Sequence, residues 1–421
     1  MIVLGVTNGQ PREVGGSKAF ENPDRTTAGI FERIGVKVSF EEVMHLNGRV
    51  LVFRVPSRSK GLPVHHNGRY LMRAGDALLP MSTEQLKSII DEGELEWELL
   101  VAQSGCDSDK VIQLLDTQSY FDLLHQPYPT SRDAVLRRFE SERLICRDGG
   151  SWAIANLGAV LFAKNLGRFD RLSLRAPRVI VYEGKDKSRT RTDQAGIRGY
   201  AVGFQGLVEY INGLIPTNEV IEQALRREVK MFPEIAVREL VANALIHQDF
   251  RETGSRVMIE MFCDRMEISS PGAPFISPER FIDEYRTRNE RLADLMRRLG
   301  VCEARGSGFD NVVRASELFE LPAPDIRVGD RKTTVVLFSH QNIDEMNRND
   351  RIRACYQHCV LRYVKNERMT NQSLRDRFKL PESKSPTVSQ IITATLEAQK
   401  IKVADPSQTS TRYRRYLPFW A

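Results

Sequence analysis

The stretch that decides the fold runs from Pro233 to Gln248, PEIAVRELVANALIHQ. Pro233 suits the first turn of a helix, where a missing N–H costs nothing. Ile235, Val237, Leu240, Val241, Ala244 and Leu245 recur at helical spacing as an apolar face. Glu239 and Asn243 are four residues apart, so both project from one side of this helix. That pairing has a chemical use. A carboxylate can orient and deprotonate a water attacking a phosphoryl group, and an amide oxygen one turn on can ligate Mg²⁺, a hard ion that takes oxygen ligands. Glu239 is therefore the candidate catalytic base and Asn243 the candidate metal ligand. His247 and Asp249 predict a polar cluster, joined by a structural hydrogen bond, at the helix end.

Downstream, strands over Val257–Phe262 and Met266–Ser269 are expected to form a hairpin around Asp264-Arg265, ending at Ser270-Pro271-Gly272. The polar, Arg-rich run from Glu279 to Arg298 reads as a mobile cover rather than a buried element. Arg305-Gly306-Ser307-Gly308-Phe309 then precedes a helix with apolar Val312, Val313, Ala315 and Leu318. Glycines before a helix let backbone N–H groups approach phosphates at its positive end.

In order, E-x-x-x-N-A, a Pro-Gly after the hairpin, Arg288-Asn289 and G-x-G before a helix resemble the N-box, G1 box, lid and G2 box of GHKL ATP-binding domains. More narrowly, RELVANALIHQDF (238–250), DRMEISSPG (264–272) and E-x-R-G-S-G (303–308) resemble the RecG-like C-terminal region of bacterial transcriptional regulators. The resemblance implies a GHKL-type α/β sandwich over 156–340, with its core at 232–339, binding ATP and Mg²⁺. It assigns Glu239 to catalysis, Asn243 to Mg²⁺, and Asn243, Ser270, Gly272, Gly306 and Gly308 to the nucleotide. One position departs from the pattern. The aspartate that usually binds adenine falls on Ser270, whose hydroxyl bonds an amino group weakly, so weak ATPase activity at most is expected. There is no GxxxxGK[ST] loop, and Gly184-Lys185 lacks both the upstream glycine and the following hydroxyl, which argues against a helicase.

The beginning of the chain, Ile2 to Val6, reads as a strand that opens abruptly, as if the domain were truncated. RVLVFRVP (49–56) and GRYLMRAG (68–75) read as further strands, and Ser82 with Gln85 as a capping box introducing a helix through Ile90. Leu4-Gly5-Val6, Val55-Pro56 and Tyr70, Arg73 and Gly75 resemble the AlbA-like, Schlafen-type domain of the same regulators, covering residues 1–95. The acidic motif that family carries upstream is missing, which argues against nucleic-acid cleavage. Residues 105–155 read as helix, turn, helix and a short hairpin, either a winged-helix-like connector or a plain helical link. Asn156 to Phe162, and Tyr182 with Gly184, match the segments that precede the ATPase-like part in these regulators.

At the other end, helices over 350–366, 370–378 and 385–399 followed by strands over 401–404 and 413–417 predict a winged helix spanning 350–421. Thr387, Ser389 and Gln390 would then enter the major groove, while Arg412, Arg414 and Arg415 on the wing meet phosphate. A net charge of +6 with pI about 9.0 suits acidic partners, with DNA favoured over RNA. No apolar run is long enough to span a bilayer and no leader pattern opens the chain, so a cytoplasmic location without membrane association is expected. The six cysteines are scattered, and Cys355, Cys359 and His358 are too few for a tetrahedral site. At 421 residues the chain is expected to be an α+β multidomain protein comprising an AlbA-like α/β domain, the sandwich and the winged helix, able to form homo-oligomers. The leading expectation is an ATP-binding, DNA-associated transcriptional regulator. The alternatives are a nucleic-acid-triggered, ATP-hydrolysing defence or stress effector and a scaffold that binds no nucleotide.

Overall fold

The central helix forms where its pattern places it. In the computed structural model of the protein it spans Glu234–His247, with Pro233 at the N-cap position. The structure describes every residue except 1, 8–10, 59, 60, 67, 75, 76, 92–95, 223, 224, 303–307, 409, 411 and 412. The helix is less one-sided than its sequence suggested. Ile235 is 47% exposed, while Ala242 and Ile246, off the expected face, are buried. The cause is that neighbours flank it on several sides: the helices Tyr200–Leu214 and Gly308–Leu318, and the strand Arg265–Pro271.

That strand belongs to a six-stranded sheet. Across it the order is Thr190–Ala195, Arg178–Tyr182, Met258–Met261, Arg265–Pro271, Lys332–Phe338 and Asp325–Val328. Only Arg178–Tyr182 and Met258–Met261 pair in parallel. A parallel pair cannot be joined by a tight turn, and the chain between these two strands includes the helices Tyr200–Leu214 and Glu234–His247. The expected hairpin is present, with Ile259 opposite Ile268. Register carries Ser270 to the end of its strand, opposite Thr333.

The chain is of mixed α+β class and divides into two compact units, residues 1–96 and 97–421. In the first, Ile2–Leu4, Gly48–Arg54 and Ser39–His45 form an antiparallel sheet around a small core of Val38, Leu51 and Phe53. The Ser82/Gln85 box is reciprocal: the Gln85 N–H donates to Ser82 Oγ at 3.2 Å and the Ser82 N–H to Gln85 Oε1 at 2.8 Å. A helix over Pro23–Ile34 was missed, although Asn22 accepts from the Arg25 N–H as an N-cap and Pro23 opens the first turn. The strand Ser39–His45 was missed too.

In the second unit, residues 101–155 hold three helices, not two, with a three-stranded sheet. Asp116 accepts from the Ser119 N–H at 3.1 Å, and this internal N-cap splits the first expected helix into Ser108–Leu114 and Thr117–Leu123. Tyr120 and Phe139 share one continuous core with Phe162 and Leu240, so this segment is no detached link. At the C-terminus, helices Arg348–Val364, Asn371–Arg377 and Ser385–Glu397 precede an antiparallel pair, Ile401–Val403 with Tyr416–Pro418. The last strand starts three residues later than expected. The Tyr413 N–H donates to the Ser410 carbonyl in a local turn instead, leaving Arg414 and Arg415 in the approach to the strand, and Arg412 lies outside the described residues.

The two halves of this core meet at Gly158, where a Cβ would lie 2.2 Å from the Leu144 carbonyl oxygen. Neither backbone can yield cheaply, so Gly158→Ala should lower stability by ~1–3 kcal/mol. Urea denaturation of the full chain, followed by far-UV circular dichroism, checks this.

Candidate functional site

One stripe of the central helix stays polar inside this core. Glu239, Asn243 and His247 follow one another at four-residue intervals and line a cavity of about 300 Å³, near the lower end of the roughly 300–1,000 Å³ range of small-molecule sites. Opposite them stand Ile268 and Ser270 from the hairpin and Thr333 and Val335 from the next strand. Residues 273–276, Phe281, Glu284, Tyr285, Arg286 and Arg288 line the cavity too, as do Gly308 and Phe309. Of the residues expected at the nucleotide, Glu239, Asn243, Ser270 and Gly308 all line this space; Gly306 lies outside the described residues.

Gly308 lies so close to the central helix that a side chain there would have to displace the ends of Glu239 and Asn243. A Cβ on Gly308 would lie 2.9 Å from Glu239 Oε2 and 3.2 Å from Asn243 Nδ2. The start of the Gly308–Leu318 helix, with its positive end, is thereby set directly on the carboxylate and amide. Glu239 itself is only 4% exposed, and a carboxylate at that depth must be compensated by partners.

Gly272 does not line the cavity; it shapes the wall behind it. Its φ is +92°, and a Cβ would meet Asp249 Cβ at 2.6 Å. Its N–H donates to the Arg331 carbonyl at 2.7 Å, and its own carbonyl accepts from Thr333 Oγ1 at 2.8 Å. The cluster expected of His247 and Asp249 is arranged otherwise. Asp249 pairs with Arg288 at 2.9 Å and Arg251 at 3.0 Å, while His247 meets the edge of the Tyr285 ring at 5.9 Å. Burial would raise the Asp249 pKa, but hydrogen bonds from Arg251 and the nearby Arg288 charge outweigh it and hold the carboxyl below its ordinary value. His247 goes the other way for a base: burial first, then Arg288, push it down to about 4, so its ring is neutral at pH 7.

The Glu279–Arg298 run is not the solvated cover its composition suggested. Ile282 is buried, and the helix Glu290–Arg298 buries Leu292, Ala293, Leu295 and Met296. Its arginines occupy the opposite face, a segregation that polar content alone conceals. Asn289 is 6% exposed and donates through Nδ2 to the carbonyls of Ile246 at 2.7 Å and Gln248 at 2.8 Å, closing the C-terminus of the central helix. No local pattern marks Phe275, Tyr285 or Cys302, all of which line the cavity. Burial, then Glu239, raise the Cys302 thiol to about 11, so it stays protonated.

Arg286, Arg288 and Arg297 line the cavity with two carboxylates, Glu239 and Glu284, and Arg288 and Arg297 are also paired with Asp249 and Asp294. Among the described residues no group of three His, Cys, Asp or Glu side chains could hold a metal. A Mg²⁺ ion needs no such cage, since it binds through one or two protein oxygens plus phosphate oxygens and water. Glu239, Asn243 and the side-chain-free face of Gly308 fit a magnesium-bound polyphosphate. On the strand side, Ser270 beside Thr333 offers hydroxyls rather than a carboxylate.

Residues 254–337 match the HATPase_c_4 family model, described as "Putative ATP-dependent DNA helicase recG C-terminal". The match supports an ATPase-like domain in this part of the chain; Glu239 and Asn243 precede the matched segment. The crystal structure of the DIP2311 protein from Corynebacterium diphtheriae is similar at 17% identity and a TM-score of 0.49, covering 99% of this chain and 82% of that one. No curated protein matches the chain significantly. Among the described residues no helix is long and apolar enough to cross a membrane.

Two outcomes follow from the geometry. Gly272→Ala should both strain the backbone and push Asp249 aside, lowering the melting temperature by several degrees, as differential scanning fluorimetry would record. Between pH 6.5 and about 4 the unfolded chain binds the His247 proton and the folded chain does not. Stability should therefore fall as pH drops through that window. Melting curves of His247→Gln should show a shallower decline there, whereas the Asp249 contribution disappears only below its ordinary 3.8.

Proposed function

We propose that the cavity binds ATP with Mg²⁺ and that the protein is a nucleotide-responsive, DNA-associated regulator. The observation that carries the first part is the convergence of Glu239, Asn243 and Gly308 in one cavity, with a Cβ-sized gap missing between them. Mg²⁺, when bound, neutralises phosphate charge and polarises the phosphoryl group. Asn243 supplies a protein oxygen for it, and the Gly308 backbone lies against the phosphates. Glu239 orients a water and accepts its proton at the carboxylate. Ser270 holds the base end by a neutral hydroxyl, which supports modest affinity and slow hydrolysis.

The DNA part rests on the AlbA-like and RecG-like resemblances and on the C-terminal arrangement of three helices and a hairpin. Ser389 and Gln390 are exposed near the start of Ser385–Glu397, Thr387 is partly exposed, and Arg415 is exposed before the last strand. Ser389 Oγ accepts from Asn371 Nδ2 at 2.9 Å, so it is already oriented by its neighbour. Arg414 donates to the Gln408 carbonyl at 3.4 Å. These cations meet phosphate in the proposed complex, while Thr387 and Gln390 face base edges.

Calorimetry with Mg·ATP tests the first part. Asn243→Ala should abolish measurable binding, and Glu239→Ala should keep binding while phosphate release stops; wild-type affinity in the Asn243 variant would overturn the magnesium role. For the second part, Arg414→Ala with Arg415→Ala should weaken duplex binding in gel shifts and reduce the salt slope by about two. An unchanged slope would refute the phosphate contacts.

A further inference from the structure

The C-terminal module, residues 348–421, holds the ATPase-like region at residues 279–280, at Glu317 and Leu321, and at 323–325, and the first two places belong to segments that reach the cavity through Phe281 and Gly308. The first grip falls on residues 279–280. Tyr356 Oη donates to the Glu279 carbonyl at 2.7 Å, Lys400 Nζ donates to Glu279 Oε1 at 3.2 Å, and the Arg280 guanidinium lies over the Trp420 ring at 3.8 Å. Trp420 Nε1 donates in turn to Tyr356 Oη at 3.1 Å. One residue further on, Phe281 lines the cavity and meets the Phe309 ring edge-on at 5.7 Å.

The second grip falls on the far end of the helix whose first residue, Gly308, sits against Glu239 and Asn243. His358 Nδ1 lies 3.0 Å from Glu317 Oε1, and its Nε2 lies 3.2 Å from Ser373 Oγ. Arg377, whose side chain is 2% exposed, donates to the Leu321 carbonyl at 2.7 Å and lies 3.6 Å from Glu317. Eleven helical residues act as a rod of about 16 Å, so a shift at either end is felt at the other.

Apolar packing alone would attach the module. Buried polar contacts add directionality, because each has a narrow geometric optimum and a cost if left unmade. The geometry points to Tyr356, Lys400 and Arg377 as positioning residues of the cavity: the C-terminal module sets the distance between the Phe281 wall and the Gly308 wall, and thereby couples the cavity's occupancy to its own. By reciprocity, a ligand that moves either wall must alter what the C-terminal module binds. This rests on the reading that the cavity takes a magnesium-bound nucleotide.

The test uses the full chain with Tyr356→Phe and Lys400→Ala combined, neither residue lining the cavity. Mg·ATP affinity by calorimetry should fall about tenfold, the equivalent of two lost hydrogen bonds, and Tyr356→Phe with Lys400→Arg, which restores one of the two, should recover about threefold of it. Hydrogen exchange at 279–285 should rise in the double variant without nucleotide. Unchanged affinity in a double variant that melts like the wild type overturns the coupling. If the wild-type chain binds no Mg·ATP, the nucleotide reading fails instead; exchange at 279–285 then decides the positioning role alone, faster exchange supporting it and unchanged exchange refuting it.

Discussion

A helix covered on several sides must send part of its polar surface into an internal space, and that constraint organises this protein. The Glu234–His247 helix buries Ala236, Val237, Leu240, Val241, Ala242, Ala244, Leu245 and Ile246. Beyond the first turn and Arg238, what remains is the line Glu239, Asn243, His247. The cavity is lined by that residue of polarity, and everything nearby is arranged to tolerate it. Gly308 comes close because it has no side chain, Asn289 answers the carbonyls at the helix end, and Arg288 and Arg251 neutralise Asp249. Each of these is a short-range answer to a buried polar group that would otherwise be costly.

The same economy explains why the lid-side segment is half-buried. An Arg-rich stretch over a cavity needs an anchor, and the helix Glu290–Arg298 provides one by burying Leu292, Leu295 and Met296 under its charged face. Its start is held by Glu98, which is 6% exposed and accepts from the Leu292 N–H at 2.8 Å. A carboxylate at a helix N-terminus meets both the unpaired N–H groups and the dipole. Residues almost two hundred positions apart in sequence thus steady one wall.

Charge is distributed with comparable specificity. His247 lines the cavity and is neutral at pH 7, because burial and Arg288 both oppose its protonation. The positive character of the site comes from arginines on the lid side. Arg288 and Arg297 are each partnered by an aspartate, Asp249 and Asp294. The arginine charge beside the cavity is therefore met by carboxylates of the chain itself.

The sequence by itself determined the elements whose signals are local. Helical spacing and Pro233 marked the central helix, Ser82 and Gln85 a cap, and the motif order the ATPase-like segment that the family match supports. The Asn22-Pro23 signal that opens Pro23–Ile34 is equally local. Tertiary structure alone decided the exposure of Ile235, the burial beneath the Arg-rich run, the contact of Gly308 with Glu239 and the partners of Asp249. The reason is physical. Spacing along a helix tells which side chains share a face, but the number of faces that are covered, and which distant backbone comes within 3 Å, depends on neighbours that no local pattern encodes.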